Sequence, residues 1–308
     1  MTLPEVLTVG RISVDLYPEQ DGPLAGVSTF AKSLGGSPTN VAVGAARLGR
    51  AAAVWTGVGE DPFGDYLVGQ LAAWGVHTGY VGRRADLQTP VVFCELDPRE
   101  DPRLLFYRRP SAPDQHIGAD DVPEPVLRDV PVFWFTGSGL AVEPSRSVTL
   151  GALRTRGRRD VTVFDLDWRP SEWPVVADAA GVYAAALRHA TVAVGNRDEV
   201  EVAVGTREPD EAATRLLAAG VRLAVVKLGA DGVLMASATE RVTVAPPPVT
   251  VVCGLGAGDA FGAALCDALL AGWPLAETAR WANAAGAHVA ARLACADAMP
   301  ERKDLLRT

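Results

Sequence analysis

Lysine is almost missing from this chain. Only Lys32, Lys227 and Lys303 occur in 308 residues, so arginine supplies nearly all of the positive charge. The imbalance reads as a genomic composition bias, and it makes any lysine within a motif conspicuous. Cysteine is also scarce: Cys94, Cys253, Cys266 and Cys295 form no C-x-x-C pair. That spacing predicts reduced, buried thiols and neither a disulfide framework nor a zinc site. His77, His116, His189 and His288 have no metal-ligand spacing either. The formal net charge of −8 argues against non-specific binding to nucleic acid or to an anionic membrane. A small anionic substrate stays compatible, because a few arginines invert the field inside a cleft. No apolar run approaches the ~18 residues of a spanning helix. The opening MTLPEVLTVGRISVDL has no basic region followed by an apolar stretch, so no signal peptide is expected and the protein is placed in the cytoplasm.

What is present is the composition of a soluble enzyme, with 48% hydrophobic and 21% charged residues. Short β-branched runs alternate with Ala/Leu-rich segments of helical period, the pattern of strands and crossover helices in a mostly parallel sheet. Strands are predicted at Val6 to Val9, Ala52 to Thr56, Val132 to Phe135, Val161 to Asp165, Thr191 to Val194, Leu223 to Lys227 and Val233 to Ala236. Helices are predicted at Pro38 to Leu48, Gly64 to Trp74, Ser145 to Arg156, Tyr183 to Arg188, Pro209 to Ala219, Asp259 to Ala271 and Leu275 to Ala294. Two segments break the alternation, about 12–32 and 90–108. They are strand-like without intervening helices, and together they read as a small antiparallel sheet at one edge, placed to act as a lid. The whole chain, 1–308, is read as a single α/β domain carrying that lid.

The chemistry gathers late in the chain. Val249 to Cys253 reads as a strand, Gly254-Leu255-Gly256-Ala257-Gly258 as a tight turn, and Asp259 as the start of a long apolar helix. Backbone without side chains comes close to phosphate oxygens, and a helix N-terminus directs unpaired N–H groups at them. Gly256, Ala257 and Gly258 would form an anion hole, with Asp259 beside it as the base that takes a proton from an attacking hydroxyl. Taken alone, the same residues serve equally well as a turn and a helix cap. A dinucleotide fingerprint would need glycine at position 259, and no GxxxxGK[ST] occurs.

Further motifs decide between these readings. Gly256-Ala257-Gly258-Asp259 resembles the GAGD signature of ribokinase-like (phosphofructokinase B) sugar kinases. Other landmarks of that family follow in order over almost the whole chain. Gly10 to Asp15 resembles the first strand and its sugar-binding aspartate, Gly35-Gly36-Ser37-Pro38-Thr39-Asn40 the GGxxxN signature, and Val58 to Gly64 the VGxDxFG turn. Asn196 to Glu199 resembles NxxE, and Lys227 to Gly232 resembles the nucleotide loop. The resemblance implies a three-layer α/β/α sandwich with a mostly parallel central sheet and a β-sheet lid.

It also implies ATP and Mg2+ as co-substrate and cofactor, with a sugar as acceptor. Asp15, Gly35, Gly36 and Asn40 would bind the sugar; Asn196, Glu199, Lys227, Gly229, Gly232, Gly256, Gly258 and Asn283 would bind the nucleotide. Glu199 would hold magnesium through water. Each has a plainer reading too: Asp15 as a loop carboxylate, Asn40 and the Asn196–Glu199 pair as helix starts, Gly229 and Gly232 as a hairpin, Lys227 as a strand-end charge, Asn283 as a surface amide. Many members carry Asp-Thr before the anion hole, where this chain has Cys253-Gly254. That departure leaves GAGD intact and puts activation by a monovalent cation in question.

Stretches such as GRISVDLYPEQ, TPVVFCELDP, LLFYRRPSAPD and FDLDWRPSEW resemble members that phosphorylate the terminal (6-) hydroxyl of 5-dehydro-2-deoxy-D-gluconate in myo-inositol catabolism. A sugar acid brings a carboxylate, and Arg108, Arg169 and Lys32 are the candidate partners for it, or else surface ion pairs. Within the class, 2-keto-3-deoxygluconate and fructose are the competing substrates. Outside it stand a non-catalytic sugar-binding regulator and, more remotely, a dinucleotide-dependent oxidoreductase. Lid edges of this kind often pair, so a homodimer is expected.

Overall fold

The computed structural model describes residues 3–97, 102–159, 161–293 and 295–306. Its strands are β1 (Val6–Val9), β2 (Ser13–Pro18), β3 (Phe30–Gly35), β4 (Ala52–Gly59), β5 (Val81–Arg84), β6 (Val91–Glu95) and β7 (Arg103–Tyr107). They continue as β8 (Val132–Thr136), β9 (Val161–Asp165), β10 (Val192–Asn196), β11 (Leu223–Lys227), β12 (Val233–Ala236) and β13 (Arg241–Val244). Nine of them form one sheet in the order β13-β12-β11-β10-β9-β8-β1-β4-β5. All neighbours from β11 to β5 pair parallel; only β12 runs the other way, pairing antiparallel with both β11 and β13.

Alternation along the strands divides the core into two layers. Val6, Val54 and Trp134 pack on one face with helices Ser37–Arg47, Pro62–Ala73, Ala257–Ala271 and Leu275–Ala290. Leu7, Trp55, Phe133 and Phe135 pack on the other with helices Ser145–Arg156, Ala179–Leu187 and Pro209–Ala218. Strands covered on both faces need no polar side, and β8 is buried at all five positions. This is the expected three-layer α/β/α sandwich. Among the described residues no helix is long and apolar enough to cross a membrane.

The second sheet has the order β3-β2-β6-β7 and comes from the two segments that break the alternation. It is mixed where an antiparallel sheet was expected. β2–β3 and β6–β7 pair antiparallel, but β2 pairs parallel with β6. The reason is the route of the chain: β2 follows β1 and β6 follows β5, and β1 and β5 point the same way in the large sheet. Residues 98–101 of the second lid segment lie outside the described residues.

A second correction concerns Val249 to Cys253, which is not a strand. Pro246 to Pro248 supply no N–H donors to a ladder, and Val249, Val251 and Val252 stay exposed. The segment is tied down instead by Val252 N and Cys253 N, which both donate to Ala290 O. Helix ends also shift. Helix Pro62–Ala73 begins two residues before Gly64 because Asp61 caps it, its carboxylate accepting from Gly64 N. The last long helix stops at Ala290; Ala294, its expected end, lies outside the described residues.

Candidate active site

The order of the large sheet reverses direction between β8 and β1, and crevices form where parallel strands diverge at their carboxyl ends. The chemistry-bearing residues lie there: Arg11 beyond β1, Ser138 beyond β8, Asp165 and Asp167 at and beyond β9, Asn196 ending β10, Lys227 ending β11. Two adjoining cavities open at this edge.

The polar cavity is lined by Arg11, Asp15, Gly36, Asn40, Arg169 and Asp259, with Leu104 and Phe106 from the lid. Two glycines at the lid junction are dictated by close approach. A Cβ on Gly35 would lie 2.0 Å from the Asp15 carboxylate, and one on Gly36 would lie 2.3 Å from Arg11 O. Gly36 also has φ of 103°, a conformation that other residues resist. Asp15 is buried and accepts from Ser13 Oγ at 2.7 Å. Burial, reinforced by the neighbouring Asp259, pushes its carboxyl up to about 7.

Asp259 lies in the first turn of helix Ala257–Ala271, whose N-cap, Gly256, has φ of 79°. The helix packs closely on helix Ser37–Arg47, since a Cβ on Gly44 would meet Ala263 at 2.6 Å. That packing lets Asn40 Nδ2 donate to Asp259 Oδ2 at 2.8 Å. The Asn40 Oδ1 is buried with no partner among the described residues. Burial raises the Asp259 carboxyl above its usual range, against hydrogen bonds from Asn40 and Ser37 that pull it down.

The second, larger cavity is lined by Lys227, Gly229, Gly232, Ala257, Gly258, Asn283 and apolar side chains including Val251 and Phe261. Gly232 has φ of 93°, and a Cβ there would sit 2.0 Å from Val244 O. Asn283 Nδ2 donates to Val244 O at 2.8 Å, so this amide also fixes the end of β13. Lys227 Nζ lies 3.7 Å from Glu199 Oε2. Burial works against its charge, but Glu199, Asp165 and Asp259 outweigh it and raise its pKa. Asn196 and Glu199 form a reciprocal cap: Asn196 Oδ1 accepts from Asp198 N and Glu199 N, and Glu199 Oε2 accepts from Asn196 N. Glu199 Oε1 is left without a partner among the described residues.

The expected sugar-acid contacts divide. Arg169 lines the polar cavity. Arg108 does not: it is buried between Asp114, at 2.9 Å, and Glu172, at 3.1 Å, so its charge is already matched twice. Lys32 is exposed, with its ammonium 4.0 Å from the ring centre of Tyr66, outside the cavity lining. Arg11 and Asp167 were not singled out from the sequence. Arg11 sits two residues beyond β1, and that position beside the reversal of strand order was the signal that could have found it.

The family described as pfkB family carbohydrate kinase matches residues 3–302. A protein of Geobacillus thermodenitrificans named 5-dehydro-2-deoxygluconokinase is 31% identical over 304 residues, covering 96% of this chain and 90% of that protein. The structure of fructokinase with bound ATP from Xylella fastidiosa superposes with a TM-score of 0.87 at 25% identity, covering 99% and 98% of the two chains. A fructokinase double mutant from Vibrio cholerae, in a form with fructose, ADP and potassium bound, gives 0.88 at 27% identity, covering 100% and 99%. With its two cavities meeting at the GAGD turn and the family match running over nearly its full length, the chain belongs to the pfkB family of carbohydrate kinases.

Proposed function

We propose that the protein transfers the γ-phosphoryl group of ATP to the terminal 6-hydroxyl of 5-dehydro-2-deoxy-D-gluconate. The observation that carries this reading is the shared helix N-terminus. Asp259 lines the polar cavity, while Ala257 and Gly258, one turn or less away, line the larger one. Likeness to relatives named 5-dehydro-2-deoxygluconokinase, and two guanidinium groups in the polar cavity, favour a sugar acid over a neutral sugar.

In the proposed reaction the sugar lies under the lid, with Asp15, Gly36 and Asn40 against its hydroxyls. The unpartnered Asn40 Oδ1 suits a hydroxyl donor. ATP lies along Lys227, Gly229 and Gly232, with Asn283 toward the base. The 6-oxygen forms the new bond to phosphorus, the bond to the ADP oxygen breaks, and Asp259 takes the hydroxyl proton. The Gly256 to Gly258 backbone N–H groups stabilise charge on the transferred group. A raised carboxyl pKa makes Asp259 a better proton acceptor than an exposed aspartate.

Magnesium keeps several of its waters when bound. Glu199 fits such a role, because its Oε1 is uncommitted, and the ion would offset phosphate charge. Direct coordination by a protein cage does not fit, since no group of three or more potential ligands occurs among the described residues. Dependence on a monovalent cation fits poorly too: Cys253 is buried among Tyr17, Cys94, Leu96 and Cys295, where hard oxygen donors are few. The outer face of the lid carries Phe30, Phe93 and Tyr107 in edge contacts at 5.3 Å, with Leu105 and Tyr107 exposed. A second copy of the chain is the proposed cover for that face.

Fructose is the second reading, favoured by the likeness to fructokinase structures. Phosphorus NMR of the products from magnesium-ATP and the sugar acid tests the proposal. A single new phosphomonoester on C6, formed in step with ADP, is expected; ADP formed without a sugar phosphate would refute it.

A further inference from the structure

Among the described residues, the cations that line the polar cavity are Arg11 and Arg169. Both are tied to one carboxylate. Arg11 Nη2 donates to Asp167 Oδ2 at 2.9 Å, and Arg169 Nε lies 3.2 Å from Asp167 Oδ1. Arg11 is further held by Nε donating to Ser138 Oγ at 2.9 Å and by the Phe106 ring, 5.6 Å away. These contacts lock the guanidinium plane yet leave Nη1 without a protein partner among the described residues. Asp167 itself has φ of 29°, a backbone conformation that a non-glycine residue keeps only where its surroundings over-determine it. Glu172 and Asp114 also support the Arg11 charge, from farther away than Asp167. Arg108, by contrast, makes its direct contacts with Asp114 and Glu172 and does not line the cavity.

We infer that Arg11 is the residue that selects an acidic sugar, its free Nη1 and Arg169 taking the substrate carboxylate while Asp167 holds both arginines in position. The inference rests on the sugar-acid reading above and adds the residue that enforces it. A planar guanidinium already fixed by its other nitrogens loses little freedom on pairing with a carboxylate, and the hydrogen bond is charge-assisted. A neutral sugar would leave Nη1 without that charge-assisted partner.

The test compares R11Q and R11K with the wild type on 5-dehydro-2-deoxy-D-gluconate and on its primary amide, with KM for ATP and Tm as controls. The wild type prefers the acid. R11Q raises KM for the acid about 10- to 100-fold, the worth of one charge-assisted hydrogen bond, while KM for ATP changes little and the loss on the amide is clearly smaller than on the acid. R11K keeps the charge without the fork and shows a smaller rise in KM for the acid. Losses that fall equally on acid and amide, or on ATP, overturn the inference, as does a wild-type KM for the acid in whichever variants fold. A wild type indifferent between acid and amide defeats the sugar-acid reading instead.

Discussion

Asn40 Nδ2 and Asp259 Oδ2 are joined by a hydrogen bond of 2.8 Å that spans two helices and 219 residues of sequence. It fixes the carboxylate above the N-terminus of its own helix, at the wall between the cavities. Replacing Asp259 by asparagine keeps the size and the neighbour but removes the proton acceptor. D259N lowers kcat by about 10²- to 10⁴-fold with ATP affinity preserved. Steady-state kinetics with a parallel ATP titration checks this, and near-normal turnover would remove Asp259 from the mechanism.

Asp15 is held at a cost to stability. Its folded pKa of about 7 lies above that of an unfolded aspartate, so the folded state binds the extra proton. The penalty for ionising it is complete above about pH 7 and is relieved as pH falls from there towards 4. D15N therefore raises Tm by a few degrees at pH 8 and by less at pH 5, while KM for the sugar rises. Thermal melts at the two pH values decide it; an equal shift at both would contradict the assigned cause.

Arg108 tests the opposite case. R108L takes from the buried Asp114 and Glu172 their direct guanidinium partner and leaves only the more distant Arg11, and loss of one partner from a buried ion pair costs about 3–5 kcal/mol. Burial already raises the Asp114 carboxyl, so protonation relieves part of the loss as pH falls. Denaturant unfolding at pH 8 and pH 5.5 should show the larger deficit at pH 8. In this account R108L changes stability and not the preference for acid over amide.

Cys253 predicts cation independence. With a buried thiol just before the anion hole, replacing potassium by tetramethylammonium at constant ionic strength should change kcat by less than about twofold, because thiols bind hard alkali cations poorly. Strong activation by potassium would show that other groups complete a cation site.

Much of this arrangement is legible in the sequence, for local reasons. β1, β9 and β11 have the predicted limits because their apolar runs end at Gly10, Asp165 and Lys227. Gly36 and Gly256 could be read because each is needed at a single tight turn. Val249 to Cys253 misled because a β-branched run signals a strand only if an edge accepts it, and the prolines before it prevent pairing. Arginines were the harder problem. Arg108 and Arg11 differ only in which carboxylates come to meet them, and Asp114, Asp167 and Glu172 arrive from separate segments that only the fold brings together. The mixed pairing of the lid was hidden for the same reason.

The most direct test of the account is kcat/KM with magnesium-ATP for 5-dehydro-2-deoxy-D-gluconate, 2-keto-3-deoxygluconate, fructose and ribose. The account predicts a clear preference for the first. A preference for fructose, or no turnover of either acid, would contradict it.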